Sequence, residues 1–145
     1  MNVKTILAAR KRGGDIIGIE PTATLAAAAK LLAKHRIGAL VIRGAGGRLA
    51  GILSERDIVR ALAEQGAGAL DLPVGQAMTR DVETCTEEDS CASIMERMTA
   101  GRFRHVPVLR GGKLTGLISI GDVVKHRVDE IERESEAMRD YIQTA

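Results

Sequence analysis

The chain repeats itself, and nothing else in it restricts the fold so strongly. Gly47-Arg48-Leu49-Ala50-Gly51-Ile52-Leu53-Ser54-Glu55-Arg56-Asp57-Ile58-Val59 matches Gly112-Lys113-Leu114-Thr115-Gly116-Leu117-Ile118-Ser119-Ile120-Gly121-Asp122-Val123-Val124 without a gap, at an offset of 65. Upstream, Ile37 to Ile42 match Phe103 to Val108 at an offset of 66, and Asp15-Ile16 match Asp81-Val82 at the same offset. The extra residue falls in the glycine turn Gly44-Ala45-Gly46-Gly47, where a hairpin loop absorbs it at little cost. The first copy also carries about five additional residues in the loop holding Arg10-Lys11-Arg12-Gly13-Gly14.

Each copy has the same order of elements. A short opening helix, Val3 to Ala8 or Val74 to Met78, leads to a strand, Asp15 to Ile19 or Asp81 to Cys85. A helix follows, with Thr24 or Ser90 as its N-cap. Its apolar residues fall three or four apart, at Leu25, Ala28, Leu31 and Leu32 and at Cys91, Ile94, Met95 and Met98, which is the spacing of one helix face. Two strands then flank a glycine turn, Ala39 to Arg43 with Arg48 to Leu53, and His105 to Leu109 with Lys113 to Ser119, a hairpin signal. A closing helix starts near Glu55 and near Ile120. A copy this small buries too little apolar surface to stand alone. Two copies packed through their sheets escape that limit, so the chain of 145 residues predicts one pseudo-two-fold module rather than two free domains.

Composition narrows the function. The core must be aliphatic, because Phe103 and Tyr141 are the only aromatic residues. A net charge of +2 is too small to imply nucleic acid through bulk electrostatics. No apolar run approaches the roughly 20 residues of a membrane helix, and Met1-Asn2-Val3-Lys4 leads into no apolar run of signal-peptide length. The expectation is a cytoplasmic protein. Cys85 and Cys91, the only cysteines, read as reduced, buried thiols rather than a disulfide framework.

Two features could carry chemistry. Ser54-x-x-Asp57 and Ser119-x-x-Asp122 each stand where a strand enters a helix, a place whose outward backbone amides favour an anion. A serine hydroxyl can donate to a phosphate, and a carboxylate three residues on can accept from both hydroxyls of a ribose. The plainer use of the same pair is a helix cap with a favourable first-turn charge. The second feature is Arg104-His105-Val106-Pro107-Val108, two donors ahead of a short apolar strand, able to clamp a phosphate. Pro107 marks an edge or a strand start, because it has no N–H for a ladder. The matching Gly38 and Ala39 bring no charge, so two pockets built by the two copies would be unequal. No metal-ligand spacing and no nucleophile with its base appears.

Taken as an ordered set present twice, these motifs resemble the CBS (cystathionine-beta-synthase) domain, and the pair resembles a Bateman module; the resemblance covers about residues 3 to 127. It implies an α/β (α+β) fold of two repeats, residues 1–66 and 67–127, followed by a helical extension over 128–145. It implies a regulatory module and not an enzyme. The ligand would be an adenine nucleotide in the cleft between repeats, AMP first, with ATP or NAD(H) as further candidates. Residue by residue, the resemblance assigns Asp57 and Asp122 to the ribose, and Ser54, Ser119, Arg104 and His105 to the phosphate. Ile19, Pro21, Thr22, Val41, Cys85, Glu87 and Pro107 would frame the adenine. At the second site, the space left by Gly38 and Ala39 would admit a larger ligand such as NAD(H). The regulated partner must lie on another chain.

Beyond Ile120 the sequence holds no proline and only Gly121, and Val124, Val128, Ile131, Ser135, Met138 and Ile142 repeat three and four apart, as in a coiled-coil seam. Such a stripe needs a cover, which the resemblance suggests is a second copy in a homodimer. The alternative function is a nucleic-acid-binding protein using the Arg10–Arg12 loop with Arg102 and Arg104, but three charges without stacking aromatics more often form a solvated loop.

Overall fold

The computed structural model describes residues 1–9 and 16–144. The element order is α1 (Val3–Ala8), β1 (Gly18–Ile19), α2 (Leu25–His35), β2 (Ala39–Arg43), β3 (Leu49–Ser54), α3 (Glu55–Gln65), α4 (Val74–Ala77), α5 (Cys91–Gly101), β4 (His105–Arg110), β5 (Lys113–Ser119) and α6 (Ile120–Thr144). The local signals act as expected: Thr24 Oγ1 accepts from the Ala27 amide at 3.1 Å and Ser90 Oγ from the Ser93 amide at 3.0 Å, so both middle helices start on their predicted caps. Leu25, Ala28 and Leu32 of α2 and Cys91, Ile94 and Met98 of α5 form the buried faces, while Leu31 and Met95 pack at the margins.

The first sheet runs β1-β2-β3, with β1 parallel and β3 antiparallel to β2; the second is the β4-β5 hairpin. The expected strand over Asp81 to Cys85 is not formed. Thr79 bridges Ile52 of the first sheet, whereas Cys85 makes a single parallel bridge to Val108 of the second. The residues between them cross from one sheet to the other and have no neighbour along which to build a ladder. Gly51 makes the first of these bridges possible, since a Cβ there would stand 2.6 Å from the Thr79 carbonyl oxygen. The Pro107 carbonyl accepts from the Cys85 amide at 3.0 Å, so the proline nitrogen faces that same sparsely paired edge.

There are two hydrophobic cores, one per sheet, and the opening helices trade between them. Val3 and Ile6 of α1 are fully buried with Cys91, Ile94, Val106, Ile118 and Val123, all of the second copy. Val74 of α4 is buried with Leu25, Leu40, Leu53 and Ile58, all of the first. The backbone holds this exchange: the Val3 amide donates to the Asp89 carbonyl at 2.9 Å, and the Val74 amide to the Ala23 carbonyl at 2.7 Å. The two copies thus form one pseudo-two-fold body, as the repeat predicts.

Past residue 130 every described residue of α6 is exposed, and Val128, Ile131, Met138 and Ile142 present their stripe uncovered. Tyr141 is 72% exposed beside it, so the body of the protein does not cover the seam. Among the described residues, no helix is long and apolar enough to cross a membrane, and no cluster of His, Cys, Asp and Glu could hold a metal ion.

Candidate functional site

Both Ser-x-x-Asp motifs end a strand and open a helix, and in both the capping geometry forms. In α3, Asp57 Oδ2 accepts from the Ser54 amide at 2.9 Å and from the Ser54 hydroxyl at 3.1 Å, and the Asp57 amide donates back to Ser54 Oγ at 3.3 Å. In α6 the same three bonds join Ser119 and Asp122, at 3.0, 2.9 and 3.2 Å. The plainer use of these residues is therefore real, and it leaves Oδ1 of Asp57 outside the box. Thr79 donates its hydroxyl to that oxygen at 3.3 Å, and Arg60 stands 3.4 Å from it. Asp57 is the only buried charged residue among those described, at 4% exposure. A buried carboxylate is held charged only by such partners.

Asp57 and Ser54 border a cavity of about 280 Å³ between the two copies, near the lower end of ligand pockets at roughly 300–1,000 Å³. Arg104, His105, Arg102 and Phe103 close it from the second copy, and the crossing segment Thr79, Asp81, Val82 and Glu83 forms a third wall. The ribose and phosphate candidates Asp57, Ser54, Arg104 and His105 are thus brought to one cavity. A second cavity of about 330 Å³ lies at the pseudo-symmetric place, with Ser119, Asp122 and Leu117 facing Arg36, Ile37, Gly38, Ala39, Ile16 and Ile17.

His105 lines both cavities, and its role differs from the expected one. Burial pushes its pKa below the ordinary 6.5, the nearby Arg104 adds to that, and Glu55 and Asp122 oppose it. At neutral pH it offers a neutral hydrogen-bonding ring and no fixed charge, so the cationic part of the clamp falls to the arginines. Its ring also takes up the space that Gly38 was expected to leave: a Cβ on Gly38 would lie 3.2 Å from His105 Cε1.

The expected adenine frame is not brought to either cavity. Ile19, Pro21 and Thr22 lie at the α4 end of the first copy, where the Pro21 carbonyl accepts from the Gly75 amide at 3.0 Å. Val41 and Pro107 are buried within their sheets. Cys85 lies in the second core, and the Glu87 carbonyl accepts from the Lys4 amide at 3.0 Å. The segment that reaches the cleft lies earlier in each copy, Asp81 to Glu83 and its counterpart Ile16-Ile17, within the stretches expected to be strands. Thr79, Arg60 and Arg36, which the sequence did not single out, also line the cavities, as does Arg102, expected there only as a nucleic-acid contact; Arg36 and Arg102 stand in register at the repeat offset of 66, a signal the sequence carries. Arg56 is exposed and borders the first cavity. Arg10–Arg12 and Asp15 lie outside the described residues, while Arg102 and Arg104 face the cleft. Both cysteines are free and buried, and burial pushes the Cys85 thiol up to about 12.

Comparison with known proteins agrees with this architecture. The family model described as "CBS domain" matches residues 7–64 and again 74–129. The CBS-domain containing protein ATU1752 from Agrobacterium tumefaciens is 46% identical in sequence and superposes with a TM-score of 0.82 over 87% of this chain and 92% of that one. The mitochondrial CBS domain-containing protein CBSX3 of Arabidopsis thaliana is 38% identical over 80% of this chain, which spans only 58% of that protein's length. The CBS domain pair of protein MJ0100, solved in complex with 5′-methylthioadenosine and S-adenosyl-L-methionine, is 27% identical, with a TM-score of 0.77 over 90% of this chain and 98% of that one. Two matched repeats, joined by exchanged helices around paired cavities, place the chain in the CBS domain family as a tandem CBS pair.

Proposed function

We propose that the chain is a regulatory module that binds an adenosine-containing ligand in the cleft between its repeats, with AMP the first candidate and ATP or NAD(H) the next. The observation that carries this reading is the first cavity. One copy supplies a buried carboxylate with an oxygen outside its capping box, and the other supplies Arg104 across the gap. That pairing suits a ribose joined to an anion. The adenosine ligands of the MJ0100 pair support the class of ligand. Asp57 would hold the ribose, Ser54 and Arg104 the phosphate, and Val82 with Phe103 the flat base. Ligand binding would shift the pose of the two copies relative to each other and so alter a separate partner protein. A second copy of this chain would cover the α6 stripe, giving a homodimer.

Calorimetry with adenosine, AMP, ADP, ATP, NAD and NADH tests the reading. We expect adenine ligands to bind and Asp57→Ala to weaken them. A flat titration with all six would remove the proposal. Sedimentation of the full chain would show the dimer, and a monomer at all concentrations would refute that part alone.

A further inference from the structure

Among the described residues only two that are not glycine have a positive φ, Arg36 at 53° and Arg102 at 56°. They are the same residue of the repeat. Each ends the middle helix of its copy as a left-handed cap, and each borders a cleft cavity, Arg102 the first and Arg36 the second. Glycine is the usual occupant of such a cap, because a side chain there is strained against the backbone. An arginine kept at that cost in both copies calls for a reason beyond ending a helix, and strained residues gather where ligands bind. Neither guanidinium has a hydrogen-bond or ion-pair partner among the described residues. Among the described residues that line the second cavity, Arg36 is the only cationic side chain apart from the neutral-leaning His105.

We propose that Arg36 is the anion clamp of the second cavity, standing in for the charge that Gly38 and Ala39 do not bring, and that the left-handed cap is retained because it sets an arginine at the cavity wall. The cavity would then take a phosphate-bearing nucleoside rather than a neutral one. This rests on the nucleoside reading above. A helix-end cation also suits the helix dipole, and the test separates that purely structural use.

The full chain, labelled with nitrogen-15, is titrated with AMP and with adenosine while the Ala39 amide reports the second cavity and the Thr79 amide the first. We expect AMP to bind more tightly than adenosine at Ala39. Arg36→Gly should weaken AMP there about tenfold, the loss of one charge-assisted contact, and leave adenosine at Ala39 and AMP at Thr79 unchanged. Its Tm should rise by about 2 °C as the backbone strain is relieved. Arg36→Lys should keep most of the AMP affinity. The clamp is overturned if Arg36→Gly leaves AMP binding at Ala39 intact, or if it lowers Tm and weakens both ligands alike. Adenosine binding at Ala39 as tightly as AMP would sink the clamp and spare the nucleoside reading. If neither ligand moves either amide, both fall.

Discussion

The two cavities are made by equivalent residues of the repeat, yet their described linings differ in how many charged groups they carry. The first gathers Arg56, Arg60, Arg102 and Arg104 against Glu55, Asp57, Asp81 and Glu83. Among the described residues, the second has Arg36 and Asp122, with Ile16, Ile17, Ile37 and Leu117 making most of the rest. The cap-and-carboxylate frame is the same in both, with bond lengths matching within about 0.2 Å. What differs is the decoration. A duplicated fold keeps the residues that end its strands and start its helices, because the backbone needs them, while the facing side chains drift. The first cavity can therefore hold a charged ligand by several contacts, and the second by few.

The largest effect concerns whether the two halves are separable at all. Ile6→Ala removes a side chain of the first copy that is buried in the core of the second. A loss of about 2–5 kcal/mol is expected from such a truncation, and hydrogen exchange should accelerate in α5, β4 and β5 rather than in α2 and β2. Faster exchange confined to the first copy would contradict the helix exchange. Next, Asp57→Ala should weaken AMP at the first cavity about a hundredfold, two charge-assisted bonds to the ribose being lost, and Asp122→Ala should spare that cavity. Equal losses from both variants would mean that the cavities are not independent. Arg104→Ala should cost about tenfold in AMP affinity, with adenosine unchanged; a matching loss for adenosine would point to packing instead of charge.

The smallest effect is in pH. His105 sits on the wall the cavities share, facing Arg104, Glu55 and Asp122, with its folded pKa below the ordinary 6.5. The folded state therefore resists the proton. Its contribution is fully present above the ordinary value and is lost as pH falls through the lower folded one. A plot of Tm against pH should slope downward below about 6.5, and His105→Gln should flatten that part of the curve. An unchanged slope would place the titration on another group.

Much of this was legible in the residues because local chemistry determines it. Thr24, Ser90, Ser54 and Ser119 cap helices wherever they precede an apolar stripe, and the glycine turns force hairpins at a fixed register. The crossing segment was not legible. Asp81-Val82-Glu83 alternates like a strand, and only the tertiary path, with Thr79 tied to one sheet and Cys85 to the other, denies it a partner. The expected adenine frame, reaching to Pro21 and Glu87, therefore lies several residues beyond the segment that lines the cleft. Nor does any local pattern announce that α1 serves the second core, since its apolar residues Val3 and Ile6 would suit either one.

The exchange of opening helices has a consequence for synthesis on the ribosome. The first core is complete once α4 has emerged, before any strand of the second core is made. The second core needs Val3 and Ile6, which are made before its helix and strands, and cannot close on them until Ile118 and Val123 arrive. The α1 turn must therefore wait for its seat until both hairpins have been made, so the nascent chain carries an uncovered greasy segment in the meantime, open to chaperones or to a neighbouring copy.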